Sequence, residues 1–494
     1  MRIPEPPPGL NELFSEGGSP PETLLKLMAS GVQQVVREIN EKYLHWDKVK
    51  FHKVPEGLTS RQLWQAVKIA RRAGQQLLPL SFNKQGRLLS YFSPPKHQEW
   101  IHRIDTQGGG SIGAPGLSAL GDESDRYLYS SLMEEAIASS QLEGANTTRK
   151  VAKEMLRTKR KPRSDSERMI LNNYKAILEV RDLKNEPLTP EVLCHLQGVL
   201  TKDTLNAEAV GRFRREEEII EVVDGRTSEV LHIPPSASEM SWRIREICDF
   251  ANQVSDPFVH PIVKASVLHF AIGYLHPFVD GNGRTARVIF YWYMLKSDYW
   301  LFEYFPISRV LVKAPAKYGK AYLHTETDGG DVTYFVRFHL QAVLEAMGDF
   351  HKYLDRETQE SQKAARLLGS YPGLNIRQRA VISEYLKNPA HSCSFLSHEG
   401  KFQVTYPTAR ADLLGLEKAA LLRMEKVGRA QVFYAAPNLR ESLHLPPPDE
   451  FPGKTKVQNP IAKTIRRDAQ KGPEADPNSP GKKDSPQEPG ESPG

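Results

Sequence analysis

The chain has 494 residues, 39% of them hydrophobic, and its 66 Lys and Arg against 60 Asp and Glu leave a formal net charge of +6. That length is too great for one ordinary core and suggests two to four domains. The longest apolar run around the motif described below, Val288 to Leu295, falls far short of the roughly 20 residues that span a bilayer, and so small a positive charge is shared by proteins that bind nucleic acid or phosphate and by proteins that bind neither.

Met1 to Leu10 holds one Arg and four prolines and lacks the apolar stretch of a secretory signal, so export by that route is not expected. The three cysteines, Cys194, Cys248 and Cys393, are far apart and fit no Cys-x-x-Cys spacing. Any pairing leaves one thiol over, which suits a reducing compartment. The expectation is a soluble, cytoplasmic protein.

In chain order, residues 1–110 read as an amino-terminal helical region, with a helix beginning near Thr59 or Ser60. Gly108 to Ser111 reads as a linker, because no strong strand precedes it and no helix follows at once. A helix is predicted after Ser124, with Leu128, Leu132 and Ala136 as its apolar stripe. Further helical patterns occupy Ser166 to Asp182, Pro190 to Leu200, Ser238 to Asn252 and Pro261 to Tyr274, and another follows Gly283. The architecture is therefore mostly α. Between two of these helices, Ile219 to Ile233 mixes β-branched and charged residues around Asp224-Gly225, a turn dipeptide suited to a β-hairpin.

From Asn375 the pattern changes to a helix over Arg377 to Leu386, a short helix near Phe395, a helix over Tyr406 to Leu416 and two short strands around Gly428. That is the outline of a winged helix over residues 370–438. Residues 446–494 are rich in Pro, Gly, Ser, Lys and Asp, nearly lack large apolar side chains, and are expected to be disordered.

The segment that carries chemistry is HPFVDGNGRTAR, His276 to Arg287, set between an apolar helix and the run VIFYWYML. Gly281, Asn282 and Gly283 permit a backbone that turns several N–H groups inward, a nest for anionic oxygens, and the next helix adds its positive end. Arg284 and Arg287 are three apart and can clamp successive phosphates. Asp280 adds negative charge to such a site, which makes sense with Mg²⁺ between carboxylate and phosphate. His276 can accept a proton from an incoming hydroxyl. These are parts for phosphoryl or nucleotidyl transfer.

Every fixed position of His-x-Phe-x-Asp-Gly-Asn-Gly-Arg-x-x-Arg is present, and the segment resembles the signature of the Fic family. The resemblance implies a helical Fic domain over residues 120–355. It implies His276 as general base, Asp280 as Mg²⁺ ligand, Gly281, Asn282 and Gly283 as the phosphate nest, Arg284 and Arg287 as phosphate clamps, and Phe278 as an apolar anchor. Family enzymes mostly transfer AMP from ATP to Tyr, Thr or Ser of a target protein, while some use UTP or other phosphate donors. The hairpin, ending in His232-Ile233-Pro234-Pro235, matches the family's flap, which holds a target segment as an added strand. Tyr318 and Tyr322 match aromatics near the nucleoside, with packing as the other reading.

On the helix over 124–143, Ser139 and Glu143 share a face, and Gly144 ends the helix. Ser139 to Gly144 resembles the Fic inhibitory motif, which implies that Glu143 pairs with Arg287 and displaces the γ-phosphate of ATP. The basic run from Arg149 to Arg163 reads as a solvated helix end and loop, or as a surface for an acidic target or nucleic acid. In the winged-helix segment, Thr405, Tyr406, Thr408, Arg410, Lys426 and Arg429 are available to DNA, but such modules also bind proteins or dimerise, and similar ones accompany Fic cores in many bacterial proteins. The expected partners are thus ATP and a target protein, with DNA and a second copy of the chain as candidates and no membrane. The rival to a self-restrained AMP transferase is a DNA-binding regulator whose Fic core senses nucleotide.

Overall fold

The computed structural model describes residues 2–9, 26–108, 123–225, 227–253, 257–369, 373–387, 391–402, 404–427 and 430–443. The expected tail over 446–494, Gly109 to Ser111 of the expected linker, and Arg429 lie outside the described residues. The chain divides into two compact units, Met1–Glu360 and Ser361–Gly494.

The first unit opens with α1 (Ser30–Lys42), a single turn at Trp46–Val49, and α2 (Ser60–Arg72). Thr59 and Gln62 form a reciprocal capping box at the start of α2, which explains why the helix begins there. The structure adds strands to the helical reading of this region: β1 (Gln75–Ser81) and β2 (Leu88–Phe92) pair antiparallel. Leu78, Leu80, Leu89 and Tyr91 of these strands are buried, a period-2 burial hidden in a sequence where Leu77 and Leu88 make both strands look evenly apolar. After α3 (Pro95–Gly108) come α4 (Glu123–Leu142), α5 (Arg149–Thr158), α6 (Asp165–Asp182) and α7 (Pro190–Thr201). The stripe expected on α4, Leu128, Leu132 and Ala136, is buried in the main core.

The short strands β3 (Val222–Val223) and β4 (Val230–His232) form the expected hairpin. Then follow α8 (Met240–Asn252), α9 (Pro261–Leu275), α10 (Asn282–Lys296), α11 (Ile307–Lys313), α12 (Pro315–Thr327) and α13 (Thr333–Gly369). Helix α9 is apolar around its whole circumference and almost wholly buried, which marks it as the central helix of the unit. Helix α10 packs against it, so the loop from His276 to Gly281 is held between two buried helices.

The amino-terminal region is tied to α12 and the start of α13 by polar contacts. Arg71, wholly buried, donates to Tyr334 Oη at 2.6 Å, to Asn40 Oδ1 at 2.7 Å and to the Leu44 carbonyl at 2.8 Å. Lys68 pairs with Asp328 at 2.9 Å, and Asp47 with Lys320 at 2.7 Å. These contacts fix α12, which carries Tyr318, over the carboxyl-terminal half of α9.

The second unit contains α14 (Ile376–Lys387), β5 (Ser392–Ser394), α15 (Phe395–Phe402), α16 (Tyr406–Lys418), β6 (Leu422–Val427) and β7 (Ala430–Ala435), with an antiparallel sheet ordered β5-β7-β6. Its own apolar core includes Val381, Ile382, Tyr385, Leu413, Leu416 and Phe433. Asp412 on α16 draws in Asn375, Arg377 and His398 at 2.6–3.0 Å, joining its three helices through one buried carboxylate. The fold is mostly α, with a few small sheets. Among the described residues, no helix is long and apolar enough to cross a membrane.

Candidate functional site

A helix leaves its last carbonyls without intrahelical partners, and at the end of α9 each of these carbonyls is taken by a side chain. The His276 N–H closes the last turn onto Ile272 O at 3.0 Å, with His276 itself in the left-handed conformation (φ 46°). The His276 ring folds back so that Nδ1 meets Gly273 O. His232 Nε2 donates to Tyr274 O at 2.7 Å. Arg214 donates to Leu275 O at 3.4 Å, to His276 O at 2.8 Å and to Pro235 O.

These contacts decide the chemistry of His276. A carbonyl oxygen only accepts, so Nδ1 carries the proton and the lone pair is on Nε2. Burial pushes the imidazole down to about 4, from an ordinary value near ~6.5. The ring is therefore neutral at pH 7, with one basic nitrogen.

The loop beyond it is closed by Asn282, whose side chain accepts from the Phe278 N–H at 2.9 Å and donates to the Phe278 carbonyl at 2.8 Å. Phe278 is fully buried and stacks on Phe213, with ring centroids 5.3 Å apart. Gln197, also fully buried, donates to Asp280 O at 3.1 Å and accepts from the Gly211 N–H at 2.6 Å, pinning the loop to α7. Gly281 has φ 86°, and a Cβ there would lie 2.9 Å from Thr201 Cγ2, so both backbone and space call for glycine. Gly281 precedes α10, whose first turn has no side-chain cap, so no capping side chain offsets the positive end of its helix dipole.

The two arginines of α10 are held by different partners. Arg284 is wholly buried and donates to Leu200 O at 2.9 Å and to Asp280 Oδ2 at 2.9 Å, while the Asp280 side chain remains 46% exposed. Arg287 donates to Ser139 Oγ at 2.8 Å, to Ser139 O at 2.9 Å and to Glu143 Oε1 at 2.9 Å. Burial alone disfavours the charged guanidinium, yet the Glu143 carboxylate beside it holds Arg287 above its ordinary value. Glu143 also lies directly over the first turn of α10: a Cβ on Gly283 would stand 2.2 Å from Glu143 Oε1 and 3.1 Å from Arg287 Nη1. A carboxylate thus sits where the positive end of the α10 dipole and the Arg287 guanidinium both favour an anion.

Tyr318 of α12 stands beside Arg287; its Oη meets His269 Nε2 at 2.7 Å and its ring lies edge-on to Tyr322. Burial raises the Tyr318 hydroxyl and lowers the His269 imidazole, so both are neutral. In the hairpin, His232 points inward, with Nδ1 2.7 Å from Glu326 Oε2, whereas Ile233 is 71% exposed. The structure thus gathers His276, Asp280 to Arg284, Arg287 and Tyr318 with Ser139 and Glu143 around the start of α10, and sets His232 between the last turn of α9 and Glu326 of α12.

Sequence reasoning did not single out Gln197, Arg214, His269 or Glu326. Arg214 sits in RFRREEE, which reads as a solvated charge run. Gln197 and His269 had one signal, a polar residue on the apolar face of a helix, and Glu326 had none.

Residues 187–294 match the Fic/DOC family. The protein adenylyltransferase Fic of Drosophila melanogaster is 26% identical over 166 residues, which is 32% of this chain and 32% of the relative. The protein of the same name from Nematostella vectensis is 25% identical over 107 residues, 22% of this chain and 23% of the relative. The aligned stretches therefore span a third or less of these curated relatives. Among solved structures, a Fic family protein from Desulfovibrio desulfuricans G20 aligns with a TM-score of 0.46 at 18% identity, covering 68% of this chain and 94% of that one. Fic-1 from C. elegans aligns with a TM-score of 0.44 at 15% identity, covering 71% and 92%.

Proposed function

We propose, on the premise that residues 187–294 form a Fic/DOC family domain, that this chain transfers AMP from ATP to a Tyr, Thr or Ser hydroxyl of a target protein and is restrained by Glu143. The observation that carries the reading is the Arg287–Glu143 pair lying over Gly283, where a phosphate would otherwise be favoured.

In this reading, Nε2 of the neutral His276 takes the proton of the incoming hydroxyl as its oxygen bonds to the α-phosphorus. The bond from that phosphorus to the bridging oxygen breaks, and pyrophosphate leaves. Backbone N–H groups of Gly281 to Gly283 and the Arg287 guanidinium hold the phosphates in line. Arg284 joins them once it exchanges Asp280 for a phosphate oxygen. Asp280, exposed and with one oxygen engaged by Arg284, has the hard-oxygen chemistry that suits Mg²⁺ shared with a polyphosphate, and would hold that ion. When bound, Mg²⁺ offsets phosphate charge. Tyr318 flanks the nucleoside, and the hairpin, through His232 and the exposed Ile233, receives the target segment as an added strand.

The second unit supports a separate role. Its order of helix, strand, helix, helix, strand, strand supports reading it as a winged helix. Exposed Thr405, Tyr406 and Arg410 on and before α16 make it a candidate for DNA or for a second copy of the chain. Its test is salt-dependent binding to duplex DNA alongside sedimentation of the protein alone.

The test of the transfer reading is incubation of the purified chain with Mg²⁺ and each nucleoside triphosphate labelled at the α-phosphate, followed by mass spectrometry of protein adducts. An AMP adduct on a hydroxyl is expected from ATP and not from protein carrying His276→Ala. Labelling from UTP alone reassigns the donor. Nucleotide and DNA binding without any adduct favours the regulator.

A further inference from the structure

Three residues one helical turn apart, Tyr318, Tyr322 and Glu326, lie on one face of α12. Tyr318 and Tyr322 pack towards α9 through His269 and Phe270. Glu326 instead reaches His232 of the hairpin, Oε2 to Nδ1 at 2.7 Å, while the other ring nitrogen of His232 meets Tyr274 O at 2.7 Å. Each ring nitrogen of His232 thus has its own acceptor. The Glu326 and His232 side chains are only 18% and 8% exposed, so solvent offers His232 little alternative partner.

The consequence for the hairpin is mechanical. The strand pair β3–β4 is very short, with Val222 opposite His232 and Val223 opposite Val230. An isolated two-stranded hairpin of this length is not stable alone. Its position depends on what ties its end down, and among the described residues two contacts tie it to α9. His232 grips Tyr274 O, and Arg214 grips Pro235 O together with Leu275 O and His276 O. Both run to the final turn of α9, from which the His276 ring projects, so the His232 and His276 rings stand 6.3 Å apart between centroids.

We propose that Glu326 is a positioning residue for the acceptor: by holding His232 on Tyr274 O, it sets the edge of β4 at a fixed distance and register from His276. The proposal deepens the transfer reading above and rests on it for the activity measurement. Because Tyr318 and Glu326 share one helix face, α12 acts as a common ruler for nucleoside and acceptor strand. Glu326 touches neither the phosphates nor the reacting hydroxyl. Its loss therefore weakens delivery of a protein hydroxyl while sparing attack on the same α-phosphorus by water, which needs no strand register and yields free AMP and pyrophosphate.

The experiment uses the full chain carrying Glu143→Gly, supplied with Mg²⁺ and ATP labelled at the α-phosphate, and measures protein-bound label against free AMP. Glu326→Asp withdraws the carboxylate by one methylene, Glu326→Ala removes it, and Glu326→Gln keeps an acceptor oxygen in reach of Nδ1. Protein-bound label is expected to fall about tenfold in the Asp and Ala variants with free AMP within about twofold, and to recover for the most part in the Gln variant. Combining Glu326→Ala with His232→Ala is expected to cost no more than either change alone, since both break one contact. Hydrogen exchange over residues 222–232 is expected to speed up in the Asp and Ala variants. An unchanged ratio in both, a parallel fall of label and free AMP, or unchanged exchange overturns the proposal. If the Glu143→Gly parent gives neither label nor free AMP, the transfer reading fails, and the exchange measurement decides the role of Glu326 by itself.

Discussion

Replacing Glu143 with Gly tests the restraint at the candidate site, and the contact itself sets the size of the effect. Glu143 accepts one hydrogen bond from the buried Arg287 guanidinium at 2.9 Å, and Ser139 accepts two more that the substitution leaves in place. Arg287 is thus expected to stay where it is, losing only the carboxylate. A hydrogen bond to a charged group contributes roughly 1.5–3 kcal/mol, and about 1.4 kcal/mol is tenfold in rate, so transfer is expected to rise roughly 10- to 150-fold. Glycine also clears the space over Gly283, where the Glu143 oxygen stands 2.2 Å from a notional Cβ. The assay is incorporation of AMP label from ATP with Mg²⁺, with nucleotide affinity measured on the same preparation. Adding Arg287→Ala is expected to abolish the gain, because the same guanidinium serves both states. A folded Glu143→Gly protein that binds ATP no more tightly and transfers AMP no faster than the parent would refute the reasoning.

Other expectations follow from the same geometry. His276→Ala should remove transfer and leave ATP affinity within about twofold, since the ring acts on the hydroxyl and not on the nucleotide; transfer near the parent rate would take His276 out of the mechanism. The His276 imidazole is pushed down to about 4 and must be neutral to act as a base, so activity should hold as pH falls through the ordinary histidine range and decline only towards that value. A rate profile breaking near pH ~6.5 would contradict the buried environment assigned to the ring. Gly281→Ala should lower stability by about 1–3 kcal/mol, from its positive φ and its approach to Thr201, measurable as a lower urea midpoint. Deleting residues 375–494 should spare self-modification, because every residue assigned a chemical role lies upstream; a folded truncation without self-modification would show that the catalytic unit extends further.

What could be read in the sequence depended on how far apart the partners are. The twelve residues from His276 to Arg287 carry their chemistry locally, and α7 and α9 were evident from periodicity and from the Pro at the first turn of each. The Arg287–Glu143 contact joins residues 144 positions apart and was legible only through the resemblance of Ser139 to Gly144 to a known motif. Nothing in the order of residues indicates that Arg284 turns inward to Leu200 O, or that Arg214 gathers the carbonyls at the end of α9, because such partners are defined only once the helices have packed. The β1–β2 hairpin was missed for a different reason. LLPLS and LLSYF hold too few residues for alternation to stand out, and their turn carries neither Asn-Gly nor Asp-Gly.

Glu143 lies just beyond the last residue of α4, where the Glu143 N–H bonds to Ser140 O at 3.1 Å and the Ala145 N–H returns to Ser140 O at 3.0 Å. Its grip on Arg287 therefore depends on one terminal turn and not on the whole helix. Helix ends open far more often than their interiors, with a free energy well below that of global unfolding. Fraying of a single turn is enough to carry the carboxylate away from the guanidinium while Leu128, Leu132 and Ala136 keep the rest of α4 in the core. The contact should thus respond to sub-denaturing urea, or to a ligand that binds the frayed turn, at concentrations that leave the fold intact. In such conditions hydrogen exchange at Glu143 to Ala145 would accelerate well before exchange in the preceding turns.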